Sequence, residues 1–233
     1  EYQLLSAGPF KRNEIKPKAR LFSSEMKFLS EPERKKAALI MLDCSEYSRL
    51  GDIEGDFKNL DTFTIDHHKT AEATENSIID PTSPACCCLV QQIYEKLVGK
   101  LTPKAAEYFF FGMATDTGYF RFLDTGSAEF FRQTARLVEA GVNPRKIYDI
   151  ITGGKAYSTR KLLGIMLDRA ERRYNNKLVI TYETMEDTKK WGQEGRDSDS
   201  LYSLLLSVDG VEAVLFIRQD SELTCTCGFR SRD

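Results

Sequence analysis

Residues 37–43 read Ala-Ala-Leu-Ile-Met-Leu-Asp, six consecutive apolar residues that end at Asp43. An apolar run of this length predicts a strand buried on both faces, as in a parallel sheet. A second short strand is predicted over residues 60–65 (Leu-Asp-Thr-Phe-Thr-Ile), and Asp66 follows it directly. A third is predicted over residues 77–79. These strands predict an α/β domain.

Helix signals alternate with these strands. Ser83-Pro84 and Thr102-Pro103 are typical helix starts, because Ser or Thr caps the first turn and proline suits its first position. The strand and helix signals together place an α/β domain over residues 1–140. The predicted helices cover 24–36, 84–98, 103–114, 127–139, 144 to near 153, and 158–173.

The pattern changes beyond residue 175. Strands are predicted over 177–182, 213–218 and 223–230, and helices over 185–191 and 198–208. This composition predicts a smaller α+β unit over 176–233. Residues 141–175 are then predicted to be a helical linker between the two domains.

Composition narrows the classes of protein. The chain has 33 basic and 35 acidic residues, a formal net charge of −2, which argues against a generally basic nucleic-acid-coating protein but leaves a local basic groove open. No stretch approaches the roughly 18 apolar residues of a membrane helix. Six cysteines include no Cys-x-x-Cys pair, which argues against a zinc knuckle. We therefore expect reduced, mostly buried thiols in a cytoplasmic protein.

Polar side chains follow the first two strands. Asp43 ends one strand, and Asp66-His67-His68 ends the next. Because the carboxyl ends of parallel strands meet at one sheet edge, these residues are expected to lie together. Carboxylate and imidazole ligands suit Mn²⁺ or another hard to borderline divalent ion. Taken alone, an aspartate at a strand end is more often a turn or cap residue.

Two further segments carry polar groups. Thr115–Gly118 leads into the aromatic and basic run Tyr119-Phe120-Arg121-Phe122. Arg230 and Arg232 lie two residues apart and share one face of the last predicted strand. Without other information, the first segment is a good loop and the two arginines are solvated surface charges.

In this order, these motifs resemble the DHH phosphoesterase family with a DHH-associated C-terminal domain. The branch concerned degrades very short RNAs and dephosphorylates 3′-phosphoadenosine 5′-phosphate. The matching segments span about residues 38–233. They are Leu42–Gly51 (LDCSEYSRLG), Thr64–His68 (TIDHH), Ala114–Phe122 (ATDTGYFRF) and the terminal Arg230–Arg232 (RSR).

The resemblance implies a role for each matching residue. Asp43 would bridge two metal ions, expected to be Mn²⁺, and His67 and Asp116 would bind one of them. His68 would lie beside the scissile phosphate as the catalytic histidine, and Asp66 would orient the histidines from behind. The substrate-binding residues would be Arg230, Ser231 and Arg232.

The resemblance also implies a fold and a reaction. The fold is a parallel-sheet DHH lobe and a smaller α/β lobe, with the active site in the cleft between them. The expected enzyme is a hydrolase that uses water activated by two metal ions to cleave short oligoribonucleotides or linear dinucleotides, and 3′-phosphoadenosine 5′-phosphate as a further substrate. No membrane partner is expected, and the sequence leaves open whether the protein forms a homodimer.

The chain also departs from the family pattern. The first family motif contains Asp and His, and residues 1–42 contain neither. The glycine-rich motif expected after the terminal RSR is not in the sequence. If both are truly lost, the first metal ion has too few ligands and hydrolysis should fail. The alternatives are therefore a catalytically defective nucleotide-binding or regulatory module and, less favoured, an inorganic pyrophosphatase.

Overall fold

The computed structural model describes residues 2–8, 10, 15–53, 55 and 57–232. The chain forms two compact units that divide between Gly154 and Lys155. Each unit has its own sheet and its own buried cluster of apolar side chains. The predicted mixed α/β class with a parallel sheet is confirmed.

The first unit contains a three-stranded parallel sheet. Two short helices come first, α1 (Lys16–Ala19) and α2 (Glu31–Arg34). The sheet has the order β1-β2-β3, with β1 (Ala38–Leu42), β2 (Asp61–Asp66) and β3 (Ser77–Ile79). In the register, Leu42 lies opposite Ile65, and Ile65 lies opposite Ile78. The ends of β1 and β2 therefore lie side by side, as the sequence predicted.

Four helices complete the first unit: α3 (Cys86–Val98), α4 (Pro103–Asp116), α5 (Ala128–Glu139) and α6 (Pro144–Thr152). Thr102 caps α4 by accepting the backbone N–H of Ala105, and Asn143 caps α6 by accepting that of Lys146. Both helices have proline at their first position, as the sequence predicted. A core of buried side chains holds these helices together, and Phe110, Met113 and Leu137 lie at its centre.

The second unit is a four-stranded mixed sheet packed with helices. It consists of α7 (Tyr157–Asp168), β4 (Glu171–Arg173), β5 (Leu178–Glu183), α8 (Met185–Trp191), α9 (Ser198–Leu206), β6 (Ala213–Gln219) and β7 (Cys225–Ser231). The strand order is β4-β5-β6-β7; β5 and β6 are parallel, and the two outer pairings are antiparallel. Its core includes Leu162, Leu201 and Val214, which are fully buried.

Three predicted helices were wrong in their extent. The helix over 24–36 is reduced to α2, because Ser30 is extended and starts the helix with a capping box to Glu33. The helix over 158–173 stops at Asp168, and β4 follows it to pair with β5. Helix α3 starts after Ala85, so Ser83 and Pro84 lie outside it. Left-handed residues at Tyr174, Asn175 and Asn176 make the β4–β5 turn.

The segment predicted as a linker, 141–175, contributes to both cores. Ile147 of α6 is buried in the first unit, and Leu162 and Leu163 of α7 are buried in the second. Within the described part of the chain, no helix has the length and apolarity needed to cross a membrane.

Candidate metal centre

Asp43 lies immediately after β1 in a left-handed conformation, with φ of 62°. Aspartate tolerates this region better than most residues that carry a Cβ. Its backbone N–H still donates to the carbonyl oxygen of Ile65 at 3.0 Å, which continues the pairing with β2 by one residue. The carboxylate, roughly half-exposed, is thereby held at the end of the sheet beside the residues that follow β2.

His67 lies between two carboxylates. Its Nε2 atom is 3.3 Å from Oδ1 of Asp43 and 3.3 Å from Oδ2 of Asp116. Its Nδ1 atom is 3.0 Å from the carbonyl oxygen of Ser83. A carbonyl oxygen can only accept, so Nδ1 carries a proton and Nε2 is the ring atom that faces the two carboxylates.

Asp66 accepts hydrogen bonds from both histidines. It is fully buried, and its Oδ1 atom accepts the backbone N–H groups of His67 at 2.7 Å and of His68 at 3.2 Å. The same atom lies 2.6 Å from Nδ1 of His68. Among the described residues, nothing hydrogen-bonds to its Oδ2 atom. Asp66 therefore fixes the orientation of the His68 ring.

Asp116 reaches the site from the last residue of α4. The helix ends here because Thr117 is buried and its hydroxyl donates to the carbonyl oxygen of Met113 at 2.6 Å. The same hydroxyl accepts the backbone N–H of Phe120 at 3.1 Å. This turn fixes the C-terminus of α4, and with it the Asp116 carboxylate beside His67.

These side chains match the ligand set of a divalent cation. Asp43, His67 and His68 each offer a ligand atom within 4.8 Å of the others. Ligand atoms bound at about 2.1 Å to one ion lie roughly 3.0–3.4 Å apart in octahedral or tetrahedral geometry. The two 3.3 Å separations around Nε2 of His67 fall in this range. An imidazole nitrogen beside two carboxylate oxygens is a donor set that a divalent cation can bind.

The electrostatics of the two central aspartates differ. Burial and the nearby negative charge of Asp116 raise the pKa of Asp43. Burial alone would also raise the pKa of Asp66, but hydrogen bonds from His68 and His67 outweigh burial and lower it. Asp66 therefore stays an anion that accepts hydrogen bonds from the histidines. Asp43 is repelled by the negative charge of Asp116, and a bound cation would offset this repulsion.

The neighbouring cysteines are not ligands of this cluster. Burial raises the pKa of Cys86 and of Cys87 to about 12, and that of Cys88 to about 11. Such thiols stay protonated at neutral pH. All six cysteines are free, as predicted, and Cys225 and Cys227 are exposed on β7.

The three residues proposed for substrate binding lie in the second unit, at the end of β7. The guanidinium of Arg230 stacks over the Tyr202 ring at 5.4 Å, and its side chain is exposed. The guanidinium of Arg232 instead donates to the carbonyl oxygens of Leu206 at 2.7 Å and of Val208 at 3.3 Å. Arg232 therefore caps the C-terminus of α9. The neighbouring Ser231 is also exposed.

The sequence reasoning did not anticipate the part played by Ser83. It predicted Ser83 as a helix cap, and the structure shows its carbonyl oxygen on His67. The loop is shaped by Asp80, whose Oδ1 atom accepts the backbone N–H and the hydroxyl of Thr82 at 2.9 and 2.6 Å. A backbone acceptor carries no residue signature, so no sequence signal could have found it.

Comparison with known proteins places this geometry in a family. No protein-family model matches the chain. The bifunctional oligoribonuclease and PAP phosphatase NrnA of Thermus thermophilus is 30% identical over 189 residues, which cover 80% of this chain and 55% of that protein. This similarity supports a DHH-type phosphoesterase. The DHH motif that names this type is Asp66-His67-His68, at the centre of the site.

Two other proteins are also similar to this chain. An uncharacterized protein of Mycoplasma pneumoniae is 33% identical over 92 residues, 39% of this chain and 28% of that protein. The crystal structure of an exopolyphosphatase-related protein from Bacteroides fragilis has the same fold, with a TM-score of 0.72 and 23% identity, covering 84% of this chain and 58% of that one. The chain thus spans only a little over half the length of these two larger relatives, the Thermus thermophilus and Bacteroides fragilis proteins.

Proposed function

We propose that this chain carries the metal-dependent phosphohydrolase site of an enzyme that cleaves short oligoribonucleotides or linear dinucleotides. 3′-Phosphoadenosine 5′-phosphate is a further proposed substrate. The observation that supports the proposal best is the meeting of Asp43, His67 and Asp116 at one sheet edge, with separations of 3.3 Å around Nε2 of His67. The 30% identity to an oligoribonuclease and PAP phosphatase supports the choice of substrates.

We assign a manganese ion to Asp43, His67 and Asp116. Oδ1 of Asp43 also lies 3.9 Å from Nδ1 of His68. The family resemblance implies that the Asp43 carboxylate would be shared with a second ion. Bound divalent ions would lower the pKa of a water molecule and neutralise charge on the phosphoryl oxygens. Ser83 keeps the Nδ1 proton of His67 engaged, so that Nε2 is the atom left for coordination.

His68 is proposed to contact the scissile phosphate. Asp66 accepts from its Nδ1 atom, which leaves Nε2 to carry a proton towards a phosphoryl oxygen. A proton on Nε2 would let the ring donate to a negatively charged phosphoryl oxygen. His68 would therefore position the phosphate and stabilise the charge that grows on it in the transition state.

Arg230 and Ser231 are proposed to hold the terminal phosphate of the substrate. Arg230 is exposed. Among the described residues, its guanidinium donates one hydrogen bond, to the carbonyl oxygen of the neighbouring Phe229 at 3.0 Å. Its other donors can face a phosphate bidentately. Arg232 was also predicted to bind substrate, and its engagement with α9 makes it the weaker candidate of the two.

The function is tested by hydrolysis of the dinucleotide pApA with and without Mn²⁺. We expect release of AMP that requires Mn²⁺ and falls at least about a hundredfold in Asp116→Ala. Asp209→Ala is the matched control, because Asp209 is an exposed aspartate of the second unit. Undiminished turnover in Asp116→Ala would refute the metal assignment.

The same assay separates the alternatives. A nucleotide-binding or regulatory module predicts affinity for pApA without any release of AMP. An inorganic pyrophosphatase predicts Mn²⁺-dependent release of phosphate from pyrophosphate and none from the dinucleotide. Adding 3′-phosphoadenosine 5′-phosphate to the panel tests the proposed phosphatase activity.

A further inference from the structure

The segment after Asp116 contains three consecutive left-handed residues. Gly118, Tyr119 and Phe120 have φ of 57, 54 and 74°. Left-handed backbone is unfavourable for the two aromatic residues, so local contacts must hold it. The backbone N–H of Tyr119 donates to the carbonyl oxygen of Ala114 at 2.7 Å, and that of Phe120 donates to the Thr117 hydroxyl at 3.1 Å. The turn is therefore well defined.

The turn sends its aromatic rings in different directions. Phe120 packs against Phe110 and Phe130 of the first core, with ring centroids 5.8 and 5.4 Å apart. Tyr119 packs there too, and its hydroxyl donates to the carbonyl oxygen of Pro144 at 2.6 Å. Phe122 is left outside the core, with 66% of its surface exposed.

The Phe122 ring lies on the backbone that leads away from Asp116. A Cβ atom at Gly118 would come within 2.5 Å of Cε2 of Phe122, so glycine is what allows the ring to lie there. The guanidinium carbon of Arg121 lies 4.6 Å from the ring centroid. A stacked guanidinium and an exposed ring thus lie five and six residues along the chain from Asp116, a proposed metal ligand.

We infer that Phe122, with Arg121, forms the platform on which a nucleobase of the substrate stacks. Single-stranded nucleic acids place their unpaired bases on aromatic rings and on guanidinium planes, and this contact tolerates any base because each has a π-face. A phosphate held at the Asp43–His67–Asp116 cluster would bring its attached nucleoside to this loop. The inference rests on the proposed function for its choice of a nucleotide as ligand.

The test uses pApA in which each adenine in turn is replaced by 2-aminopurine, whose fluorescence is quenched by stacking. Binding is measured with the 233-residue chain and Ca²⁺ in place of Mn²⁺, so no turnover is needed. We expect quenching with one of the two probes, about fivefold or more weaker binding in Phe122→Leu, and near wild-type binding in Phe122→Tyr. Phe28→Leu is the matched control, because Phe28 is 89% exposed and lies far away in sequence.

A dinucleotide in which tetrahydrofuran replaces the base separates stacking from general damage. We expect the wild type to prefer the base-bearing probe and Phe122→Leu to lose this preference. Equal quenching and affinity in wild type and Phe122→Leu, or no quenching with either probe, would overturn the inference. Stacking without any hydrolysis in Mn²⁺ would instead leave the platform in place and refute the proposed function.

Discussion

Nε2 of His67 and Oδ2 of Asp116 lie 3.3 Å apart, although one residue follows a strand and the other ends a helix. Asp43 lies at the same distance on the end of the neighbouring strand. Because Nδ1 of His67 is engaged by Ser83, the remaining ring nitrogen faces two carboxylates. The fold thus places two carboxylates and an imidazole nitrogen at one point, which favours the binding of a cation and leaves the carboxylates to repel each other in the metal-free protein.

Asp116→Asn should therefore change stability in opposite directions with and without metal. In EDTA at pH 9, we expect the free energy of unfolding to rise by a few tenths of a kcal/mol, because the half-exposed negative charge of Asp116 is removed from beside Asp43. Stabilisation by Mn²⁺ should be largely lost. Urea unfolding in both conditions measures this, with Asp209→Asn as the control. A variant with a lower free energy of unfolding than the wild type in EDTA, and with full stabilisation by Mn²⁺, would contradict the account.

Gly112 is expected to be essential for the packing of α3 on α4. A Cβ atom there would clash with Sγ of Cys87. Gly112→Ala should lower the free energy of unfolding by about 1–3 kcal/mol. Adding Cys87→Ala should recover part of this loss, so that the two changes are not additive.

Gly164→Ala is the matched control for this prediction. Gly164 also lies within a helix, α7, but a Cβ atom there meets nothing within 4 Å. We expect a gain of about 0.5–1 kcal/mol, because alanine favours a helix over glycine. Equal effects of alanine at positions 112 and 164, measured by urea unfolding, would show that the clash is absent.

Acid should weaken the second unit through Asp187. Hydrogen bonds from Arg169, together with those from Thr184, lower the pKa of Asp187 from 3.8 to about 2. A lowered pKa stabilises the folded state above the ordinary value, and this stabilisation is lost as the pH falls from about 4 to about 2. The shift corresponds to about 2 kcal/mol.

Asp187→Asn tests this pH dependence. We expect the difference in unfolding free energy between wild type and variant to be constant above pH 5 and to shrink between pH 4 and 2. Denaturant unfolding at a series of pH values measures it. A difference that stays the same down to pH 2 would show that Asp187 does not supply this stabilisation.

Arg230→Ala and Arg232→Ala should have different effects, although one residue lies near the end of β7 and the other directly follows it. Arg232→Ala removes donors from the carbonyl oxygens that end α9, so it should lower stability by about 0.5–1 kcal/mol and leave affinity for pApA unchanged. Arg230→Ala should weaken affinity for pApA about tenfold with less effect on stability. Urea unfolding and fluorescence titration measure the two effects, and the reverse pattern would assign the phosphate to Arg232.

The sequence predicted the elements that hold the site because their signals are local. The apolar run before Asp43 predicted β1, but the prediction of burial on both faces was wrong, because Ile40 and Leu42 are 62% and 52% exposed. Proline after Thr102 predicted the start of α4. Apolar periodicity and caps did not predict β4, since Glu171–Arg173 is a charged segment that becomes a strand only by pairing with β5. Tertiary pairing there overrides local preference.

The candidate site also has one part that the sequence predicted and one part that it did not. The positions of Asp43 and His67 at two strand ends predicted that they would lie together, and the family resemblance added Asp116; the structure brings the three side chains together. The Ser83 carbonyl and the left-handed turn at residues 118–120 were not predicted. Both depend on backbone conformation, which the contacts of a folded chain determine and which side-chain identity alone does not reveal.

Binding of Mn²⁺ followed by electron paramagnetic resonance tests the central claim most directly, because bound and free ions give different signals. The account predicts that the wild-type chain binds Mn²⁺ and so lowers the free-ion signal. Asp43→Asn and His67→Gln should bind Mn²⁺ with an affinity at least about tenfold lower, whereas Asp209→Asn should bind as the wild type does. Equal depletion by the wild type, Asp43→Asn and His67→Gln would contradict a metal site at the ends of β1 and β2.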